Sequence, residues 1–196
     1  MGKAKSVSKK VQRADRNVAA KAGKRRDTAL VQAIGTLSEI GDQPPMVALG
    51  VATLLGSAVR RDAKLARTGL RMLAAHALAT GAKTVLKRNI DRTRPHAPLN
   101  GGVYKAKRGH SHDPALNSFP SGHTAGAVAV ARAVARAYPQ AAPAALAGAG
   151  AIAAVQVPRA QHYVSDITAG LIIGLASEWL ASRALDAAER AWRARS

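Results

Sequence analysis

Apolar residues gather in six stretches of the chain, roughly residues 28–40, 45–59, 66–86, 122–138, 141–158 and 164–182. Within each, Ala, Leu and Val run together without the strict alternation of a half-buried strand, so the pattern predicts helices. The expected fold is all-α, a helical bundle. A helix needs about 20 apolar residues to cross the hydrocarbon core of a bilayer. The fifth and sixth stretches come close to that. The third and fourth carry Arg71, Arg132 and Arg136 near their ends, where long side chains reach back to the interface. The first is short, and an interfacial helix is the alternative to a span there. The expectation is an integral membrane bundle of about six hydrophobic helices. Gly122 and Gly126 in GHTAG, and Gly170 and Gly174 in GLIIG, stand one turn apart. That spacing lets helices approach closely in lipid, although Ala/Gly packing in a soluble bundle produces it too.

Charge sharpens this picture. The 196 residues hold 30 Lys and Arg against 11 Asp and Glu, a formal net charge of +19. Residues 1–27 carry ten of the cations, opposed only by Asp15 and Asp27, and are expected to form a disordered basic tail on the cytoplasmic side. Other basic clusters lie at 60–71, 87–95 and 183–195, whereas 43–59, 137–158 and 167–177 have no charge. Cations that punctuate apolar segments fit a multi-pass membrane protein beside anionic lipid. A nucleic-acid binder would carry one basic face, and aromatics at 3 % leave little for base stacking. No nucleic-acid partner is expected. Residues 28–184 read as one helical domain and 185–196 as a basic C-terminal tail. There is no cysteine, so no disulfide or thiolate chemistry is available. No secretory signal is visible, because the apolar run begins only near residue 28.

Positive-inside bias gives a consistency test. With a cytoplasmic N-terminus and six crossings, the basic 60–67 loop and the C-terminal tail fall inside. The 87–121 loop falls outside although it is basic. That exception is expected to mark the functional site, on the non-cytoplasmic face.

Three motifs carry the candidate chemistry. In KRNIDRTRP, Lys87 and Arg94 are six residues apart, with Arg92 between them and Pro95 ending the helix. Such cations repel unless an anion gathers them, and Arg and Lys suit phosphate oxygens. A solvated basic helix end is the plain alternative. In PSGHT, Ser121 is a good N-cap and Gly122 allows close backbone approach. Free amides at a helix start bind anions, and His123 at that lip is placed to give a proton to a leaving group. A capped helix with an incidental histidine is the alternative. In RAQHYVSDITAG, His162 and Asp166 are four apart and share a helical face. A carboxylate there can hold one ring proton and leave the other nitrogen free to attack. A helix-initiating Asp beside a surface histidine competes evenly with this.

Taken together, Lys-x6-Arg-Pro, Pro-Ser-Gly-His and His-x3-Asp, in this order, resemble the type 2 phosphatidic acid phosphatase (PAP2) superfamily over about half the chain, from residue 87 to roughly 174. The resemblance implies that His162 attacks phosphorus to form a phosphohistidine, that Asp166 orients it, and that His123 protonates the leaving alkoxide. It implies that Lys87, Arg94, Ser121 and Gly122 hold the phosphoryl oxygens, and that no metal or cofactor is needed. One departure stands out. The family places Ser-Arg ahead of the third-motif histidine, where this chain has Val155 and Gln156. Arg159 is the nearest cation, and it reaches the same phosphate only if Pro158 reshapes the loop.

The remaining histidines carry less. His110, His112 and Asp113 in GHSHDP lack the further ligand of a metallohydrolase and read as a polar loop tip. His76 reads as an interhelical polar residue and His96 as a loop residue. The expected protein is an inner-membrane lipid phosphatase of bacterial type, facing the periplasm. Its substrates would be phosphatidic acid, phosphatidylglycerol phosphate or an undecaprenyl diphosphate. Two alternatives stay open. One is a soluble phosphatase or vanadate haloperoxidase sharing the site. The other is a non-catalytic basic protein that binds membrane or nucleic acid.

Overall fold

The computed structural model describes residues 2–111 and 113–195, with side chains from Lys9 onward. Eight helices follow one another: α1 (Gly2–Gly23), α2 (Ala29–Ser38), α3 (Gln43–Arg60), α4 (Ala63–Lys87), α5 (His96–Leu99), α6 (Gly122–Ala137), α7 (Ala142–Val155) and α8 (Val164–Arg193). Two three-residue strands, β1 (Ile90–Arg92) and β2 (Ala106–Arg108), pair antiparallel inside the long loop after α4. The all-α expectation holds.

Helix α6 is the axis of the bundle. Its residues from Thr124 to Ala131, with Ala133 and Ala135, are buried against α4, α7 and α8. Alanine makes this possible, since a thin side chain on every face lets three helices close in. The Gly170–Gly174 pair brings α8 nearest. A Cβ on Gly170 would lie 2.6 Å from the Ser121 carbonyl, and one on Gly174 would lie 2.7 Å from that of Ala125. Gly126 faces His76 of α4, whose Nε2 would stand 3.1 Å from an added Cβ. His76 is thus a buried interhelical residue.

The outer surface is apolar. Leu55, Val59, Leu78, Ile172, Trp179 and Leu180 all project outward from α3, α4 and α8. Helix α8 is the one described helix long and apolar enough to cross a membrane, and only 33 % of its apolar window is buried within the protein. Helix α7 lies in a shorter apolar segment, 139–155.

Three stretches take a definite form. Helix α1 covers Gly2–Gly23 and is fastened by Asp15, which is 4 % exposed. Lysine and arginine favour the helix, and a carboxylate buried against Arg92 holds it in place despite their mutual repulsion. The first apolar stretch forms a short helix. Helix α2 has ten residues, about 15 Å at 1.5 Å each, half a bilayer core. The segment also begins and ends at one end of the bundle: Gly23 packs on Leu99 and Ala160, and Gly41 on Ile152 and the His123 carbonyl. Finally, α8 continues to Arg193 with no break at 184.

Candidate active site

The three motifs meet at the end of the bundle where α4 and α7 finish and α6 and α8 begin. His162 lies in the tight turn between α7 and α8. There the Gln156 carbonyl accepts hydrogen bonds from the backbone of both Gln161 (3.1 Å) and His162 (3.2 Å). Ala160 sits at φ +55° in that turn, a left-handed conformation that costs a residue with a Cβ. The turn delivers His162 inward, 2 % exposed.

Its Nδ1 lies 2.7 Å from the Ser118 carbonyl. A carbonyl only accepts, so Nδ1 carries the proton and donates it, and Nε2 keeps a free lone pair. Asp166 Oδ2 stands further off, 3.7 Å from Nδ1. The ring is therefore oriented first by a backbone carbonyl and second by the carboxylate. Burial pushes the His162 pKa down, and Arg94 and Lys87 add to this against the pull of Asp166, giving about 4. Burial thus favours the neutral imidazole.

Asp166 is fully buried and fully partnered. Its Oδ2 accepts from Ser118 Oγ (2.6 Å) and from the Tyr163 backbone (2.9 Å), and its Oδ1 accepts from Arg92 (2.5 Å). Tyr163 is the N-cap of α8, and Asp166 at the third helical position reaches back to its backbone N–H. Arg92 also donates to Asp15 (2.8 Å) and Ser165 (2.7 Å), and its guanidinium lies 4.3 Å from the Tyr163 ring centroid. Burial disfavours its charge, but Asp166 and Asp15 outweigh that and hold its pKa above the ordinary arginine value. The result is a buried chain running Asp15–Arg92–Asp166–His162.

The cations come from the first motif. Lys87 Nζ donates to the Asn117 carbonyl (2.8 Å), one residue from Ser118. Arg94 donates to Gln161 (2.5 Å), next to His162, and its Nε is buried without a partner. Burial lowers the Arg94 pKa, with Asp166 restoring part of it. Lys83, one turn before Lys87, adds a cation that the motif does not include. A Cβ on Gly122 would lie 3.1 Å from its Nζ, so the lysine lies close on the start of α6. Ser121 caps that helix, accepting from Thr124 N (3.4 Å) and Thr124 Oγ1 (2.9 Å).

His123 stands on the first turn of α6, partly exposed, with Nε2 3.4 Å from Glu39. The same carboxylate meets Arg159 at 2.7 Å. Burial opposes its ionisation, but the Arg159 hydrogen bond and the His123 charge hold the Glu39 pKa below the usual value. Arg159 Nη1 also reaches Ser38 Oγ at 3.0 Å, the atom that Gln156 Nε2 reaches at 3.2 Å. The Arg159 guanidinium thus comes to the place where the side chain of residue 156 ends. Gln156 itself is 1 % exposed, with its Oε1 unpartnered.

Every residue singled out in the three motifs lies at this end of the bundle. Ser118, Asp15, Glu39 and Lys83 join them without having been singled out, and Arg92, named among the cations of the first motif, turns to Asp166. In GHSHDP, His110 is tied to the Arg88 carbonyl (2.6 Å) and Asp113 caps a short turn through Ala115 N; His112 lies outside the described residues. His96 starts α5.

The bundle thus gathers cations and a helix N-terminus around a buried histidine. The family model of the PAP2 superfamily matches residues 68–190, and the chain belongs to that superfamily. Two solved structures share the fold. One is a transmembrane PAP2-type phosphatidylglycerolphosphate phosphatase from Bacillus subtilis, with TM-score 0.67 and 24 % identity over 90 % of this chain and 86 % of that one. The other is LpxE from Aquifex aeolicus, with TM-score 0.60 and 17 % identity over 85 % and 93 % respectively. No curated protein matches the sequence significantly.

Proposed function

We propose that this protein is a membrane-embedded phosphatase of lipid phosphate monoesters or diphosphates, working through a phosphohistidine on His162. One observation carries the reading. His162 donates its Nδ1 proton to the Ser118 carbonyl at 2.7 Å, which leaves the Nε2 lone pair free in a buried ring that feels the charges of Arg94 and Lys87.

In the first step the Nε2 lone pair attacks phosphorus while the bond to the lipid oxygen breaks. His123 gives its proton to that oxygen, and the lipid leaves as an alcohol or, from a diphosphate, as a monophosphate. Lys87, Arg94, Ser121 and the first amides of α6 hold the nonbridging oxygens as charge builds. Arg159 supplies the cation that Gln156 does not. In the second step water attacks phosphorus and loses a proton to His123. The P–N bond breaks, inorganic phosphate departs, and neutral His162 is restored. Asp166, held by Arg92 and Ser118, steadies the imidazolium character that develops in between. The residues use no metal in this scheme.

The lipid nature of the substrate rests on the outer surface. Apolar side chains face outward on α3, α4 and α8, as bilayer contact requires, and an open apolar groove of about 190 Å³ runs between α3, α6 and α7 past Met46, Val130 and Ala149. This weighs against a soluble phosphatase or haloperoxidase. The test is phosphate release from phosphatidic acid, phosphatidylglycerol phosphate and undecaprenyl diphosphate by detergent-solubilised protein. Release from a lipid and none from a water-soluble aryl phosphate supports the reading; the opposite preference refutes it.

A further inference from the structure

We infer that the active site opens toward the cytoplasm, so that its substrates are lipid phosphates of the cytoplasmic leaflet. The inference rests on the membrane-embedded reading above. It reverses the orientation expected from sequence, and the reason is geometric. That expectation needed the first apolar stretch to cross, which would put the N-terminus and the 87–121 loop on opposite sides. The structure puts them on one side. Asp15 of α1 is bonded to Arg92 and Ser165, Arg26 donates to Asn100 at 2.9 Å, and α2 ends with Ser38 against Gln156. All of these partners belong to the active-site end.

The charge balance between the two ends then decides the orientation. The active-site end holds 19 of the 30 Lys and Arg: ten in residues 1–27, seven in residues 87–121, and Lys83 and Arg159. The other end holds 11. That both ends are basic calls for a finer count. Lys83, Lys87, Arg92, Arg94 and Arg159 belong to the site and are needed on either side of a membrane, and Arg26 is paired with Asp27; without these six, 13 remain. At the far end Arg67, Arg71 and Arg136 are paired with Asp186, Glu189 or Glu178, and 8 remain. Short loops rich in Lys and Arg stay on the cytoplasmic side, and the charge before the first span usually dominates. Here that charge is the ten cations ahead of α3. The 87–121 loop, an exception under the six-span topology, becomes part of the same cytoplasmic surface.

The N-terminal helices suit that surface. Lys9, Lys10, Arg13, Arg16 and Lys24 of the N-terminal segment are exposed, while α2 turns Leu30, Ile34 and Leu37 outward. A basic helix followed by a short one with an apolar outer face is how a chain lies on anionic lipid without crossing it.

The absence of cysteine allows a direct test. Val103→Cys places one thiol in the exposed active-site loop, and Gln140→Cys places one in the turn between α6 and α7 at the far end. A membrane-impermeant maleimide is applied to intact spheroplasts and to inverted vesicles. The expected result is that the Val103→Cys thiol is labelled only in inverted vesicles and the Gln140→Cys thiol in intact spheroplasts. The reverse pattern overturns the inference and leaves the phosphatase reading standing. A second arm supplies short-chain phosphatidic acid from outside: inverted vesicles are expected to release phosphate and intact spheroplasts are not, and release by spheroplasts alone contradicts the orientation. Extraction of the protein by alkaline carbonate would remove the membrane reading and this inference together.

Discussion

At the scale of single residues, chemistry depends on one proton position. If Nδ1–H of His162 is committed to the Ser118 carbonyl, no other group at position 162 can do its work. His162→Ala is expected to lower kcat by at least about 1,000-fold, as loss of a nucleophile does elsewhere, measured as phosphate release in detergent. The histidine also gives a pH signature. Its pKa falls from the ordinary 6.5 to about 4 in the folded protein. Between those values the unfolded chain takes up a proton that the folded chain refuses, so stability falls as pH drops from 6.5 toward 4. The loss between pH 7 and pH 5 is about 2 kcal/mol, and thermal unfolding of wild type against His162→Gln is expected to show it in the wild type alone. For the same reason kcat/KM should have no acidic limb from His162 above pH 5.

The motif residues were legible because each motif is short and its residues reach the same helix end through local structure. Pro95, Ser121 and the turn after α7 do most of that placement. Ser118, Asp15 and Glu39 were not legible as site residues, and neither was the pairing of Arg92. Arg92 meets Asp166 across 74 positions and Asp15 across 77, and no local spacing encodes such pairs. The role given to Asp166 shifts accordingly, from sole holder of the His162 proton to support for a backbone carbonyl.

At the scale of elements, α1 and α8 carry the support. Helix α1 contributes Asp15, the outermost link of the buried chain that ends on His162. Asp15→Ala leaves Arg92 with one carboxylate fewer in a buried setting. It is expected to cost about 3 kcal/mol of stability and to reduce kcat more than it raises KM, because the substrate's oxygens do not touch it. Thermal unfolding and steady-state kinetics on the same preparation check both. Helix α8 depends on its glycines. Gly170→Val would drive a side chain into the Ser121 carbonyl, 2.6 Å from the new Cβ, and push α8 off α6. The expected outcome is loss of activity with weakened unfolding cooperativity. Gly148→Ala on α7 is the control and is expected to be tolerated, because nothing lies within 4 Å of an added Cβ there. The small-residue pattern was readable in the sequence. Which helix it met was not.

At the scale of the whole molecule, the apolar stretches foretold a helical bundle, and composition alone could not say how many cross. Helix α2 is only ten residues long and α1 is basic, and contacts of Asp15 with Arg92, Arg26 with Asn100 and Ser38 with Gln156 hold both at the active-site end. The membrane setting has its own check. Trp179 is half exposed on the outer face of α8. In a Trp192→Phe protein, lipids brominated on their acyl chains are expected to quench the remaining fluorescence of Trp179. No quenching would place that face in water.

The most direct measurement is capture of the intermediate. Purified wild type and His162→Ala are mixed with phosphatidic acid labelled in its phosphate and quenched in alkali, which preserves phosphohistidine. The expected result is label on the wild-type protein, lost on acid treatment, and none on His162→Ala. Phosphate release by wild type with no label on the protein, or with undiminished turnover by His162→Ala, would contradict His162 as the nucleophile.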